Sequence, residues 1–400
     1  MRILHTSDWH LGKNLEHVSR LEEQEEFIQE LIQIVDEENI DLVIVAGDVY
    51  DTSNPSVAAE KLFYKSLKSL SGNGERTVLI IAGNHDSPEG LTAINSLIEE
   101  LSLGIILVGT PKSVIPKLSS PNYSIVDSGE GFLEIKIKDE NIVVLTMPYP
   151  SDKRLNEIIS QEGSEELIQK DYSEKIGKIF ENLSEKYRED TINIAVGHFH
   201  VRGGETSSSE RDIQLGGSMA VNMSHLPKKA QYIAMGHLHR PQRIKGELEN
   251  VYYSGSPIQY SKNEIGYTKS VYIVDIKANQ EAKVAKRYLR NYKPIEIWRV
   301  KSIEEAISMC NENDNENIWI FLEIETDRVL ANSELREIKT SKKNIIEIIP
   351  IFESVESGNE IFYEERTIQE EFVDFYEYRR GVKVTQETLE VFINLCSEIE

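Results

Sequence analysis

Short apolar runs alternate with amphipathic stretches along the first 150 residues of this chain. Residues 1–7 read as a strand ending at Asp8. Leu21, Ile28, Leu31, Ile32 and Val35 recur at helical spacing among Glu and Gln, which predicts a helix over 20–38. AspLeuValIleValAla (41–46) is short and continuously apolar, the pattern of a strand buried on both faces. Residues 56–70 read as helix, SerGlyAsnGly (71–74) as a turn, and ThrValLeuIleIleAla (77–82) as another buried strand. A helix follows at 89–101, then strands near 104–108, 131–137 and 141–147, the last stopped by ProTyrPro (148–150).

Beyond a polar helical region at about 152–189, strands return at 191–196 and 231–235, and two more strand-like segments fall within 250–280. Strand–helix alternation followed by strand-rich stretches predicts an α/β layered sandwich with mixed sheets. From about 281 the pattern changes to a short βαβ-like unit, with strands at 317–324 and 344–350. After SerGlyAsn (357–359) the tail carries Phe372, Phe375 and Tyr376, then Leu389, Phe392 and Leu395, at helical spacing, separated by ArgGlyValLysVal (380–384). The division expected is 1–280, 281–355 and 356–400.

Five segments stand at or just beyond the ends of these apolar runs: SerAspTrpHis (7–10), GlyAspValTyrAsp (47–51), GlyAsnHisAsp (83–86), GlyHisPheHis (197–200) and GlyHisLeuHis (236–239). Open α/β sheets place their sites beyond the carboxyl ends of strands, so these loops can assemble an oxygen-and-nitrogen cage for two divalent metals. Two metals about 3.5–4 Å apart clamp a phosphate and lower the pKa of a bridging water. Asp48, on a Gly turn after a buried strand, suits the carboxylate that touches both. Asp8 and His10, at i and i+2, can share one metal. Asn84 offers a carbonyl oxygen, and His198, His237 and His239 offer imidazoles. Hard oxygens with imidazoles and no thiolate favour Mn²⁺, Fe or Zn being the alternatives.

His85 is not needed to fill either metal. Beside Asn84 it can reach a scissile phosphate, to stabilise its charge or protonate the leaving oxygen, and Asp86 is placed to hold its ring in one tautomer. His5, His17 and His225 read as structural or exposed, and Asp51 as a loop-fixing acceptor. The two GlyHisXHis segments have the same spacing, so spacing does not decide which pair supplies two ligands, and His200 stays ambiguous.

Composition changes this picture in two ways. The chain has 400 residues and 40% hydrophobic content, enough for a large domain and a smaller one. Cys310 and Cys396 lack metal-type spacing, no signal-peptide pattern opens the chain and no apolar stretch nears the roughly 20 residues of a membrane span; a cytoplasmic location without a disulfide framework is expected. The net charge of −24 is adverse to a nucleic-acid enzyme acting alone. It is uneven: residues 351–400 hold 13 Asp or Glu against 4 Lys or Arg, while Lys228, Lys229, Arg240, Arg243 and Lys245 surround the last His pair.

The motif set resembles the calcineurin-like metallophosphoesterase superfamily. HisThrSerAspTrpHisLeuGlyLys (5–13), AlaGlyAspValTyrAspThr (46–52) and GlyAsnHisAspSer (83–87) narrow the resemblance to its SbcD family, the nuclease subunits of bacterial SbcCD complexes. SerGluArgAspIle (209–213), TyrIleAlaMetGlyHisLeuHis (232–239) and TyrSerGlySerProIleGlnTyrSer (253–261) are also similar. The likeness spans roughly 1–280 and is looser afterwards. It implies a layered α/β/β/α metallophosphoesterase sandwich, an α/β capping domain that contacts DNA, and a helical tail that docks on the ATPase subunit SbcC. By this resemblance one metal falls to Asp8, His10, Asp48 and His239, and the other to Asp48, Asn84, His198 and His237. His85 matches the catalytic histidine and His200 lies outside the cage. It further implies 3′→5′ exonuclease action on duplex DNA, endonuclease action at hairpins or blocked ends, and a homodimer through the helices at 56–70 and 89–101. The same cage also serves phosphodiesterases and phosphatases of small molecules or proteins, and a scaffold without chemistry would normally lack some of the seven ligands present here.

Overall fold

The computed structural model describes residues 1–155, 165–207 and 219–352, and in the tail Phe372, Val373, Tyr376, Val384, Thr388, Leu389 and Phe392. Two mixed sheets stack face to face. The six-stranded sheet runs in the order Lys283–Tyr288, Ser270–Asp275, Arg2–Thr6, Leu42–Ala46, Thr77–Ile81, Ile105–Val108. Its last four strands are parallel. The eight-stranded sheet has Glu140–Met147, Ile192–His198, Tyr232–Gly236 and Val251–Tyr253 as its parallel centre.

Three apolar layers make the sandwich. Ile3, Ile44, Leu79, Val144, Ile194 and their neighbours fill the space between the sheets. Helices Leu21–Glu37 and Val57–Ser71 cover the outer face of the first sheet through residues such as Phe27, Leu31 and Phe63. Tyr172, Ile176 and Phe180 of helix Glu165–Leu183 cover the second. The α/β/β/α order follows from sequences that leave the central strands wholly apolar, since a strand buried on both faces needs a layer on each side. Ser56 caps the second helix by accepting from the Ala59 amide, and Gly72 ends it in the left-handed conformation, φ 56°.

Some elements differ from the sequence reading. The helix expected at 89–101 is two pieces, Pro88–Thr92 and Asn95–Leu101. Strand Tyr123–Gly129 was not expected. Strand Lys283–Tyr288 extends the first sheet beyond 280, and the smaller three-stranded sheet begins at Ile295. That sheet (Ile295–Val300, Trp319–Thr326, Ile345–Phe352) packs with helices Ile303–Glu312 and Asn332–Ser341 around its own core of Trp298, Ile320, Leu322 and Ile338. Cys310 lies in that core as a free thiol.

The small sheet is fastened to the first helix. Arg20 and Glu23 form a buried pair, the Trp319 indole donates to both Glu23 oxygens at 3.2 and 3.3 Å, and Arg20 Nη1 donates to the Gln259 carbonyl at 2.6 Å. In the tail, taken by itself, Phe372, Val373 and Tyr376 are helical, as are Thr388, Leu389 and Phe392. The Phe372 and Phe392 rings stack at 3.9 Å. Residues 209–213, 357–359 and 380–383, with Phe375, Leu395 and Cys396, lie outside the described residues. Among the described residues no helix is long and apolar enough to cross a membrane.

His5 lies wholly buried between the sheets. Nε2–H donates to the Met235 carbonyl at 3.2 Å and Nδ1 accepts from the Tyr232 hydroxyl at 2.8 Å, so the neutral ring is fully satisfied. Burial lowers its pKa from 6.5 to about 3 against the opposing pull of that carbonyl. The unfolded chain binds this proton near pH 6.5, so the contribution of neutral His5 is present above that pH and is lost progressively as pH falls toward 3. Urea titrations of metal-free protein between pH 7 and 5 should show stability falling faster for wild type than for His5→Gln. Parallel profiles would refute this role.

Candidate metal centre

The carboxyl ends of strands Arg2–Thr6, Leu42–Ala46, Thr77–Ile81, Ile192–His198 and Tyr232–Gly236 meet at one edge of the sandwich. The loops after the first two run side by side: the Asp8 amide donates to the Gly47 carbonyl and the His10 amide to the Asp48 carbonyl, both at 3.0 Å. Their path demands a left-handed backbone at Asp8 (φ 53°), His10 (φ 45°) and Asp48 (φ 51°). Asp, Asn and His are among the few residues with side chains that enter this region readily.

Two glycines let the strands close on one another. A Cβ on Gly83 would lie 2.1 Å from Asp48 Oδ1, and one on Gly236 would lie 1.9 Å from the Ala46 carbonyl oxygen. That carbonyl accepts from His198 Nδ1–H at 2.7 Å, which fixes the tautomer and turns Nε2 inward. His198 Nε2 then faces Asp48 Oδ2 at 3.3 Å and Asn84 Oδ1 at 3.0 Å, and His237 Nδ1 faces the same Asn84 oxygen at 3.1 Å. Opposite, His10 Nε2 and His239 Nε2 stand 3.0 Å apart, with Asp48 Oδ2 3.7 Å from His10 Nε2. Asp8, His10 and His239 bring donor atoms within 4.8 Å of one another, and so do Asp8, Asp48 and His198. All seven sequence-predicted ligands thus converge. Neither group includes His200 or His237; His200 is half-buried, and His237 joins the others through Asn84.

The electrostatics fit divalent cations. Burial, opposed by His198 and His239 and reinforced by Asp48, pushes the Asp8 carboxyl up to about 6. Burial disfavours charge on His198, but the Asp48 and Asp8 carboxylates outweigh it and raise that imidazole to about 9. Burial lowers His10 to about 3. Left to protons, the site keeps some groups charged and others neutral at a cost in desolvation; cations among two carboxylates, an amide oxygen and four imidazoles satisfy all of them.

His85 flanks this group. Its ring meets the His10 ring edge-on at 4.7 Å, and its amide donates to Asp48 Oδ1 at 2.8 Å. The tautomer expectation for Asp86 needs correcting. Asp86 accepts from the backbone amides of Gly83, Val49 and Tyr50 at 2.8, 3.2 and 2.9 Å, so it staples two loops together. The His85 Nδ1–H instead donates to the Asp51 carbonyl at 2.6 Å. The Asp51 carboxylate holds Lys13 at 2.8 Å and faces His10 Nδ1 at 3.6 Å.

Other supports went unread. Arg154 donates to the Gly83 and Asp86 carbonyls at 2.7 and 2.6 Å, clamping the loop that presents Asn84 and His85. Ser7 donates to Asp8 and is bonded to Ser254 at 2.7 Å. The His237 amide donates to Asp8 Oδ1 at 2.9 Å. Backbone carbonyls leave no trace in a sequence, and Ser254 could have been found only as a member of the 253–261 segment.

The family model for calcineurin-like phosphoesterases matches residues 1–241. The SbcD subunit of the SbcCD nuclease of Bacillus subtilis (strain 168) is 40% identical over 403 residues, covering 100% of this chain and 99% of that protein. The corresponding SbcD protein of Staphylococcus epidermidis is 30% identical, over 78% of this chain and 77% of its own length. The chain belongs to the SbcD family of calcineurin-like phosphoesterases. Among solved structures, a dimetal phosphatase from Danio rerio aligns at 11% identity with a TM-score of 0.37, covering 72% of this chain and 98% of its own. The family is one of metal-dependent phosphoesterases, and the Asp and His groups described above are candidates to hold the ions.

Gly236→Ala should displace His198 or Ala46. The folded variant should bind Mn²⁺ at least tenfold more weakly by calorimetry, on the order of losses seen when groups supporting a ligand are disturbed. Unchanged affinity would mean that the close approach is unimportant to the cage.

Proposed function

We propose that this chain is a DNA nuclease subunit that hydrolyses phosphodiester bonds with two divalent ions, Mn²⁺ in preference to others. The observation that carries this reading is the convergence of Asp8, His10, Asp48, Asn84, His198, His237 and His239 at one edge of the sandwich, beside a histidine oriented for other work. Asp8, His10, Asp48 and His239 would hold one ion, and Asp48, Asn84, His198 and His237 the other. When bound, such ions would polarise the phosphate, lower the pKa of a water and neutralise the charge that develops on the phosphoryl and leaving oxygens.

The remaining steps belong to the chain. His85 engages the Asp51 carbonyl through Nδ1–H, so Nε2 is the atom that transfers a proton at the leaving oxygen. Arg154 and Asp86 keep the 83–86 loop in place as charge shifts. Relatives named as subunits of SbcCD support a partnership with the ATPase SbcC in DNA repair and recombination. The net charge of −24 is consistent with it, because a partner can supply further cationic surface for DNA. The proposed actions are 3′→5′ exonuclease cleavage of duplex ends and endonuclease cleavage at hairpins or blocked ends, in the cytoplasm.

The small sheet and its helices, from Ile295 on, would be the capping unit beside DNA. The stacked Phe372–Phe392 pair supports a helical tail as the SbcC-docking element. Exposed Val57, Tyr64, Leu97 and Leu101, on helices Val57–Ser71 and Asn95–Leu101, support a homodimer.

The deciding experiment is cleavage of a labelled hairpin-ended duplex with Mn²⁺. His85→Gln should lower cleavage by roughly 10²–10⁴-fold with metal binding retained, and Asp48→Ala should lose both. Brisk turnover of bis-p-nitrophenyl phosphate without DNA cutting, with or without SbcC and ATP, would assign the same cage to another substrate. Removing 365–400 should abolish SbcC association and spare small-substrate cleavage; loss of both would overturn that division of labour.

A further inference from the structure

The segment 253–269 wraps behind the metal centre, and the chemistry above leaves its buried charges without a task. Glu264 is completely buried and Lys269 nearly so. Lys269 Nζ bonds Glu264 Oε2 and also donates to Ser256 Oγ at 2.7 Å and to the His239 carbonyl at 3.1 Å. The other carboxylate oxygen, Oε1, accepts from the Tyr260 amide at 3.3 Å and lies 3.6 Å from His239 Nδ1. His239 Nε2 is the nitrogen that faces His10 and the cage, so Nδ1 points away from it, toward Glu264. The backbone is built for this approach: Gly255 has φ 74°, and a Cβ there would lie 2.7 Å from the His239 carbonyl oxygen.

A buried ion pair seldom stabilises a fold more than apolar residues of the same volume. One directed at the outer nitrogen of a ligating imidazole has a further use. It holds the ring in the Nδ1–H tautomer, aims the Nε2 lone pair at the ion and strengthens the ligand.

We propose that Glu264, neutralised by Lys269, is a positioning residue that sets the tautomer and orientation of His239 for metal binding. The inference rests on the reading of His239 as a ligand. Lys269 supplies the balancing charge and ties the carboxylate to the backbone of the residue it orients, so imidazole and carboxylate are fixed to one frame.

The test is calorimetric titration of Mn²⁺ into the metal-free full-length chain, for wild type, Glu264→Gln and the double variant Glu264→Gln/Lys269→Met. The double variant removes both charges and leaves no buried lysine unpaired. Thermal midpoints in EDTA report the fold separately from the ion. The expected result is two ions on wild type and, in a variant whose midpoint in EDTA matches wild type, one of the two weakened by on the order of 10–100-fold. Wild-type affinity at both sites in such a variant would overturn the proposal, since a merely structural pair would leave binding untouched once the fold is intact. If neither variant folds, spectra of ¹⁵N-histidine-labelled wild type loaded with diamagnetic Zn²⁺ decide: a His239 Nδ1–H proton shifted downfield and slow to exchange, as when held by a carboxylate, upholds the proposal, and one that exchanges as freely as an unpartnered imidazole N–H sinks it. No ion bound to wild type would instead sink the reading of the cage.

Discussion

The hydrogen bond from His198 Nδ1–H to the Ala46 carbonyl joins the two sheets at the point where the site is built. Ala46 ends a strand of the first sheet and His198 ends a strand of the second. Every donor group of the centre is placed relative to this junction: Asp48 follows Ala46 by two residues, and His237 leaves the strand beside His198. The apolar layer beneath, with Ile44, Ile194 and Ala234 fully buried, holds the junction at fixed separation. Gly83 and Gly236 allow it to be as close as it is. Interiors packed to crystal density transmit displacements of a few tenths of an ångström, so the precision of the donor geometry derives from the apolar layer below it.

Much of this was legible because two signals coincide. Runs such as Leu42–Ala46 and Thr77–Ile81 admit few readings other than buried strands, and Asp, Asn and His at their ends admit few purposes. Strand Lys283–Tyr288 was missed because LysValAlaLysArgTyr is a charged, exposed edge, which needs no apolar pattern. Tyr123–Gly129 ends in AspSerGly, which reads as a turn. The 89–101 helix breaks at Ala93–Ile94, where no Gly or Pro announces it.

The supporting contacts were hidden for a different reason. Arg154 reaches a carbonyl 71 residues away, and such pairings exist only after folding. Asp86 shows how adjacency misleads: next to His85 in the chain, it serves three backbone amides, while the carbonyl of Asp51 orients the histidine. The likeness of GlyHisPheHis and GlyHisLeuHis was likewise undecidable by spacing. In space, the second histidine of the latter faces His10, while the second of the former acts electrostatically on His237.

The left-handed conformations at Asp8, His10 and Asp48 have a consequence for how the molecule comes apart. Each holds the chain about 1–2 kcal/mol above its relaxed conformation for ordinary side chains, less for Asp and His, which visit this region more readily. If those three backbones relaxed, their side chains would swing out of common reach at once. If these side chains hold an ion as proposed, its release would favour loosening of these loops. A chelator would act as a local denaturant of the active edge while the layers behind stayed folded, and an ion would act as the last piece of the fold to be set.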